Sequence, residues 1–268
     1  MLIRATETTG YDVQASDGAL GKVVDLLFDD ARWTVRWLVV ETGNWWADHR
    51  VLIPASALGH PDTATRTFPV SLTMAQVKGS PDVDTHRPVS RQFESSAYDY
   101  YGFSPYWGTD LYMSGFAYWG GMVPMAPSLE MERREEEIAQ MMRQNEDANL
   151  RSVTEISGYH IHATDGDIGH LLDVLIEDTD WSLRYLIVNT SNWWQGKEVL
   201  ISPRSTQSIR WTEQLIYLGV TRDLIRTSPA YDADRRIDAA FEADMASHYG
   251  PTKPADAARG GGNFLKVR

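Results

Sequence analysis

The chain of 268 residues contains no cysteine, which excludes disulfide frameworks, thiolate zinc sites and cysteine nucleophiles and suits a reducing compartment. It has no apolar run approaching the roughly 18 residues that a membrane-spanning helix needs. Its opening stretch, MLIRATETTGYDV, lacks the charged, apolar and small-residue succession of a secretory signal. These absences lead to the expectation of a cytoplasmic protein with no integral membrane segment. Positive charge is scarce: 25 Lys and Arg face 37 Asp and Glu, for a formal net charge of −12. Phosphate neutralisation needs a basic footprint, so a nucleic-acid partner is not expected, and anionic lipid is disfavoured for the same reason. The acidic residues are spread along the chain, which speaks for solubility rather than for one site.

Catalytic motifs are missing as well. There is no G-x-S-x-G elbow, and no Ser, His and Asp set recurs. Gly260, Gly261 and Gly262 lie in a stretch with no strand before it or helix after it, so they form no phosphate loop. The expectation is a protein that is not an enzyme, with no catalytic residue and no cofactor.

What the sequence does hold is a repeat. Shifting the chain by 148 positions superposes residues 2–102 on 150–250 without a gap, with 32 identities over 101 positions, against roughly 6 from background composition. The densest stretch pairs GYDVQASDGALGKVVDLLFDD from Gly10 with GYHIHATDGDIGHLLDVLIED from Gly158. It continues as W-x-x-R-x-L-x-V-x-T-x-NWW from Trp33 and from Trp181, then as VLI at Val51 and Val199. The match closes with Phe-Glu at Phe93 and Phe241 and Tyr-Gly at Tyr101 and Tyr249. The domain reading is therefore a module over 1–102, a linker with an acidic helix over 103–149, a second module over 150–250 and a flexible tail over 251–268.

Within the first module, Asp17-Gly18 and Gly21 supply turn and bulge chemistry ahead of an apolar strand over Lys22 to Phe28. Further strands are predicted over Val35 to Glu41, Arg50 to Ile53, where Pro54 stops the run, and Phe68 to Leu72. A short helical turn over Thr73 to Lys78 takes Thr73 as its cap, and Thr221 repeats that role. Short strands with turns between them and little helix suggest a mainly β protein made of small barrels or curled sheets, and closure would remove exposed edges. Residues 98–127 are dense in Tyr, Trp, Gly, Met and Pro and read either as a segment that docks on a barrel or partner or as an irregular linker. Ser128 to Asn149 reads as a spacer helix.

The succession Asp-Gly-x-x-Gly, apolar strand, Asp-Asp, W-x-x-R-x-L-x-V, VLIP and LT followed by Ser-Pro resembles the PRC-barrel family, named for the barrel of the photosynthetic reaction-centre H subunit. A related barrel forms one domain of a ribosome-maturation factor. The resemblance covers roughly residues 6–85 and 154–233. It implies two compact six-stranded barrels, each with a short helix, and roles that are mostly non-catalytic contacts with partners. Ser202-Pro203 stands where the first module has Pro54-Ala55, and no membrane helix precedes the barrel as it does in H subunits.

Several residues invite a functional reading beside a structural one. Asp29-Asp30 and Glu177-Asp178 sit where a strand gives way to a turn, as cation ligands or as turn caps. Arg36 and Arg184 lie mid-strand in apolar surroundings, with Asp25 and Asp173 as expected salt-bridge partners. Trp45-Trp46 and Trp193-Trp194 follow a turn Asn. An extended segment would send one ring of each pair inward and one outward, as packing or as an interface anchor for a protein partner. His160, His162 and His170 could approach a metal, but the first module carries Asp12, Gln14 and Lys22 there, so the module itself does not need them. The leading expectation is a non-catalytic tandem binding or scaffolding protein whose barrels pair as an intramolecular pseudo-dimer, self-association remaining open. The alternatives are a peripheral subunit of a membrane or photosynthetic electron-transfer complex, a ribosome-assembly role and a metal-dependent hydrolase.

Overall fold

The structure is a computed structural model and describes residues 1–43, 49–80, 91–103, 150–190, 197–229, 231–232 and 237–249. The predicted linker helix over 128–149, most of the aromatic segment and the tail lie outside the described residues. The protein is mainly β. The first repeat contains β1 (Leu2–Arg4), β2 (Asp12–Ala15), β3 (Gly18–Asp29), β4 (Thr34–Thr42), β5 (Arg50–Pro54), β6 (Thr67–Pro69), α1 (Met74–Lys78) and α2 (Arg91–Tyr101). The second contains β7 (Leu150–Ser152), α3 (Val153–Ile156), β8 (His160–Ala163), β9 (Gly166–Glu177), β10 (Leu183–Asn189), β11 (Glu198–Ile201), β12 (Thr206–Arg210), β13 (Leu215–Leu218), α4 (Arg222–Arg226) and α5 (Ala239–Tyr249).

Two mixed sheets result. One runs β5-β4-β3-β2-β6 and the other β11-β10-β9-β8-β13-β12. The pairs β2–β6 and β8–β13 are parallel. The expected closed barrels are not found among the described residues, because strand pairing leaves both ends of each path open. Beyond β11 the chain bends through a 3-10 turn at Pro203–Ser205 instead of continuing a ladder, and a proline has no N–H to donate to one. In the first repeat, isolated bridges such as Leu58 with Val70 stand where the second repeat has β12.

Local chemistry explains the elements. Along β2 the alternation of exposed Asp12 and Gln14 with buried Val13 and Ala15 marks a strand with one wet face. The β2–β3 ladder slips by one residue at Leu20, and the β8–β9 ladder slips at Ile168. Each bulge turns its apolar residue fully inward. The glycine that follows each bulge lies against the next strand: a Cβ on Gly21 would stand 2.0 Å from the Glu41 carbonyl oxygen, and one on Gly169 would stand 1.8 Å from that of Asn189. In β4, Trp37, Leu38, Val39 and Val40 are all buried, so this strand is covered on both faces and reads as a continuous apolar run. Each Leu- or Phe-sized side chain so buried contributes about 1.5–3 kcal/mol.

Asp17 and Asp165, the acids of the hairpin turns, have a second task. Asp17 accepts the Met74 N–H at 2.8 Å and Asp165 the Arg222 N–H at 2.7 Å, tying each short helix to its hairpin. Thr73 caps α1 in a reciprocal box with Gln76, and Thr221 caps α4 by accepting the Leu224 N–H at 3.3 Å.

The chain divides into two compact units, one of Met1–Thr9, Asp25–Arg36 and Arg151–Arg268, the other of Gly10–Val24 and Trp37–Leu150. In the latter, α2 brings buried Glu94 to the Trp37 indole, which donates at 2.9 Å, and Tyr101 donates to the Leu52 carbonyl at 3.0 Å. In the former, Met245 of α5 packs with Leu175, Tyr185, Ile187 and Leu200, joined by Phe241 and Tyr249. Burial pushes the phenols of Tyr101 and Tyr249 up to about 12. Phe93, Glu94 and Tyr101 of the closing identities thus belong to α2, and Phe241, Glu242 and Tyr249 to α5.

Two outcomes are expected. Gly21→Ala and Gly169→Ala each lower stability by about 1–3 kcal/mol through overpacking against backbone, read as a fall in denaturant midpoint. Because Tyr101 and Tyr249 keep their protons more tightly when folded, each adds stability that is complete below pH ~10 and is lost as pH rises towards 12, about 2–3 kcal/mol per phenol. Tyr101→Phe and Tyr249→Phe should flatten that alkaline limb in denaturation measured between those pH values.

Candidate functional site

The twinned acids Asp25 and Asp173 stand at the centre of the best-defined polar cluster. Strand β1 pairs antiparallel with β9, in register Leu2 with Glu177, Ile3 with Ile176 and Arg4 with Leu175, while β7 pairs with β3. Each opening strand therefore joins the long strand of the other repeat. A carboxylate seals each crossing. Asp173, 3% exposed, accepts the Thr6 N–H at 3.2 Å, the Thr6 hydroxyl at 2.5 Å and the Val174 N–H at 2.7 Å. Asp25 accepts the Thr154 N–H at 3.2 Å, the Thr154 hydroxyl at 3.0 Å and the Leu26 N–H at 2.8 Å, and Ser152 donates to its other oxygen. Burial pushes the Asp173 carboxyl above the ordinary carboxylate range, against the opposing pull of Thr6, the Val174 N–H and Arg4.

The expected salt bridges are corrected by this arrangement. Arg36 pairs with Asp29 at 3.4 Å and Arg184 with Glu242 at 3.5 Å, while Asp25 and Asp173 bond the opening turns instead. Buried Asp173 is satisfied by backbone and hydroxyl groups. Asp29 also accepts the Ala31 and Arg32 N–H groups at 2.9 and 3.2 Å, the behaviour of a turn cap. Asp30 pairs with Arg151 at 3.3 Å, and that guanidinium lies 4.0 Å from the Trp211 ring centroid. Burial raises the Asp30 carboxyl above its usual value, and the charge of Asp29 adds to this, against the lowering effect of Arg151.

A second reciprocal contact joins the same segments. The Leu183 N–H donates to the Trp33 carbonyl and the Val35 N–H to the Trp181 carbonyl, each at 2.8 Å, with Thr34 bridging Ser182 between them. These positions differ by 148, so the contact has the form residue i to j and twin of i to twin of j, as across a two-fold dimer interface. Trp33 and Trp181 sit at φ 53° and 60°, a left-handed conformation that costs a bulky residue on the order of 1–3 kcal/mol and that turns the chain into this contact. Phe28 stacks on Trp33 with centroids 5.6 Å apart.

Of the remaining predicted residues, His160 and His162 share the outer face of β8, and His160 is in register with His170. The His162 ring bonds Asp167 at 2.6 Å and meets the Tyr217 ring edge-on. Among the described residues, no three His, Asp or Glu side chains are placed to hold a metal ion. Trp45, Trp46, Trp193 and Trp194 lie outside the described residues. Flanking those positions, buried Thr42 and Thr190 donate their hydroxyls to the carbonyls of His49 and Lys197, both at 2.9 Å. No described helix is long and apolar enough to cross a membrane.

Residues 1–69, the span of β1 to β6, match the family model of the PRC-barrel domain. A PRC-barrel domain is thus present in the first repeat. No curated protein matches the chain.

Asp173→Ala should cost about 1–3 kcal/mol by stranding the Thr6 and Val174 donors, and a cycle with Thr6→Ala should show coupling of at least about 0.5 kcal/mol. With its folded pKa raised, Asp173 stabilises most at low pH and less as pH rises through its folded value. The stability gap between wild type and Asp173→Asn should narrow from acid to neutral pH in urea titrations.

Proposed function

We propose that the chain is a non-catalytic binding and scaffolding protein, a covalently linked two-fold pair of PRC-barrel-like repeats that presents matching surfaces to a protein partner. The observation that supports this reading most is the reciprocity of the contacts. Asp25 and Asp173 hold each other's opening turns, and the Trp33 carbonyl accepts the Leu183 N–H while the Trp181 carbonyl accepts the Val35 N–H, in the pattern of an isologous dimer. The twinned charges that a hydrolase would need are engaged in architecture: Asp29 by Arg32, Arg36 and two backbone donors, and Asp30 by Arg151. The PRC-barrel match at residues 1–69 agrees with a non-catalytic role.

The doubled tryptophans at 45–46 and 193–194 are the proposed anchors, since large aromatic residues dominate interface energies. Thr42 and Thr190 tie together the described residues on either side of those pairs, which limits the entropy lost on binding. Affinity capture from the native host should recover a partner that is depleted at least tenfold when Trp46 and Trp194 are both changed to Ala. Undiminished recovery would remove these residues as anchors. Recovery of the protein with membranes would favour the peripheral-subunit reading instead.

A further inference from the structure

The crossing of β1 onto β9 carries a consequence for association. Among the described residues, the hydrogen bonds and ion pairs that hold the opening segment run to the second repeat: the three-residue ladder with β9, the Ala5 N–H to the Val174 carbonyl at 3.0 Å, the Thr6 bonds to Asp173, and the Arg4 ion pair with Glu198 at 2.8 Å. By contrast, only Thr9, Gly10 and Tyr11 connect the Thr6–Thr8 turn to β2. Gly10 lies at φ +79°, and nothing comes within 4 Å of the place where a Cβ would stand. Its twin Gly158 has φ +95° and is equally open. This connector is short, turns at a permissive residue whose N–H is anchored on the Val23 carbonyl at 2.8 Å, and is preceded by an element docked on a homologous repeat.

We infer that the segment Leu2–Thr8 is an exchangeable docking element, and that the β9 edge with Asp173 accepts the same segment from a second copy of this chain, closing a two-chain dimer. The second copy supplies an identical strand, threonine and arginine, so every bond made within one chain is made between two, and Leu175–Glu177 of β9 is paired in both copies. Within one chain the tethered segment has a high effective concentration and dominates in dilute solution. Raising the protein concentration while the chains refold shifts the balance towards exchange. The inference rests on the β1–β9 pairing and does not require the scaffolding role.

The absence of native cysteine makes a direct test clean. Leu2 and Glu177 are directly opposed across the ladder, at a Cα separation of about 4.5–5.5 Å that a disulfide spans. Leu2→Cys/Glu177→Cys protein is unfolded, refolded at micromolar and at near-millimolar concentration, oxidised, and run on non-reducing gels beside each single-cysteine variant. The expected result is a covalent monomer from dilute refolding and a covalent dimer, enriched at least tenfold over the single variants, from concentrated refolding. A covalent monomer at every concentration, equal dimer in the single variants, or no cross-link at all would each overturn the proposal. Should the double variant not fold, native mass spectrometry of wild type refolded at both concentrations decides: dimers that persist on dilution support exchange, and monomer throughout refutes it.

Discussion

A carboxylate withdrawn from water must find donors, and buried Asp173 and half-buried Asp25 find theirs in the turns that open the opposite repeats. That requirement fixes where Thr6 and Thr154 lie, and with them the registers of β1 and β7. It also explains why one compact unit collects three separated stretches of chain: residues 1–9 and 25–36 are gathered with 151–268 because the acids, the opening turns and the Trp33–Trp181 contact all lie there. Burial raises the carboxyl of Asp173 while its hydrogen bonds work in the other direction. The arrangement is held by the number of donors, not by charge pairing.

Much of this was legible in the residues. The hairpin at Asp17-Gly18, the strand over β4 and the caps at Thr73 and Thr221 each follow from local chemistry and are present in the fold, whereas Pro54, expected to stop the strand after Ile53, is itself its last paired residue. The second half of each repeat was harder to read: α2 and α5 carry mixed polar and apolar residues with a weak helical stripe, so only the isolated identities at Glu94, Glu242, Tyr101 and Tyr249 hinted at a task. The partners of Asp25 and Asp173 were not legible, since they lie 127 and 167 residues away in sequence. Periodicity reports on which face a side chain takes but is silent on which chain segment meets it.

The repeats differ where their surroundings differ. Trp37 in the first gives its indole proton to Glu94, while the matching residue in the second is Tyr185 and Glu242 takes Arg184. Arg36 pairs with Asp29. Arg151, between Asp30 and Trp211, stands where the first repeat has buried Ile3. Such divergence is expected of two copies that no longer have to be identical because they are made as one chain.

Thr34 and Ser182 have a distinctive position in this respect, because each is the other's counterpart and also its neighbour. Here any side chain introduced at one site faces whatever occupies the other, so a charge acceptable singly becomes a repulsion when doubled. Small hydroxyl residues at both sites avoid that conflict, and drift at these two positions should be correlated in a way that drift in the rest of the chain need not be.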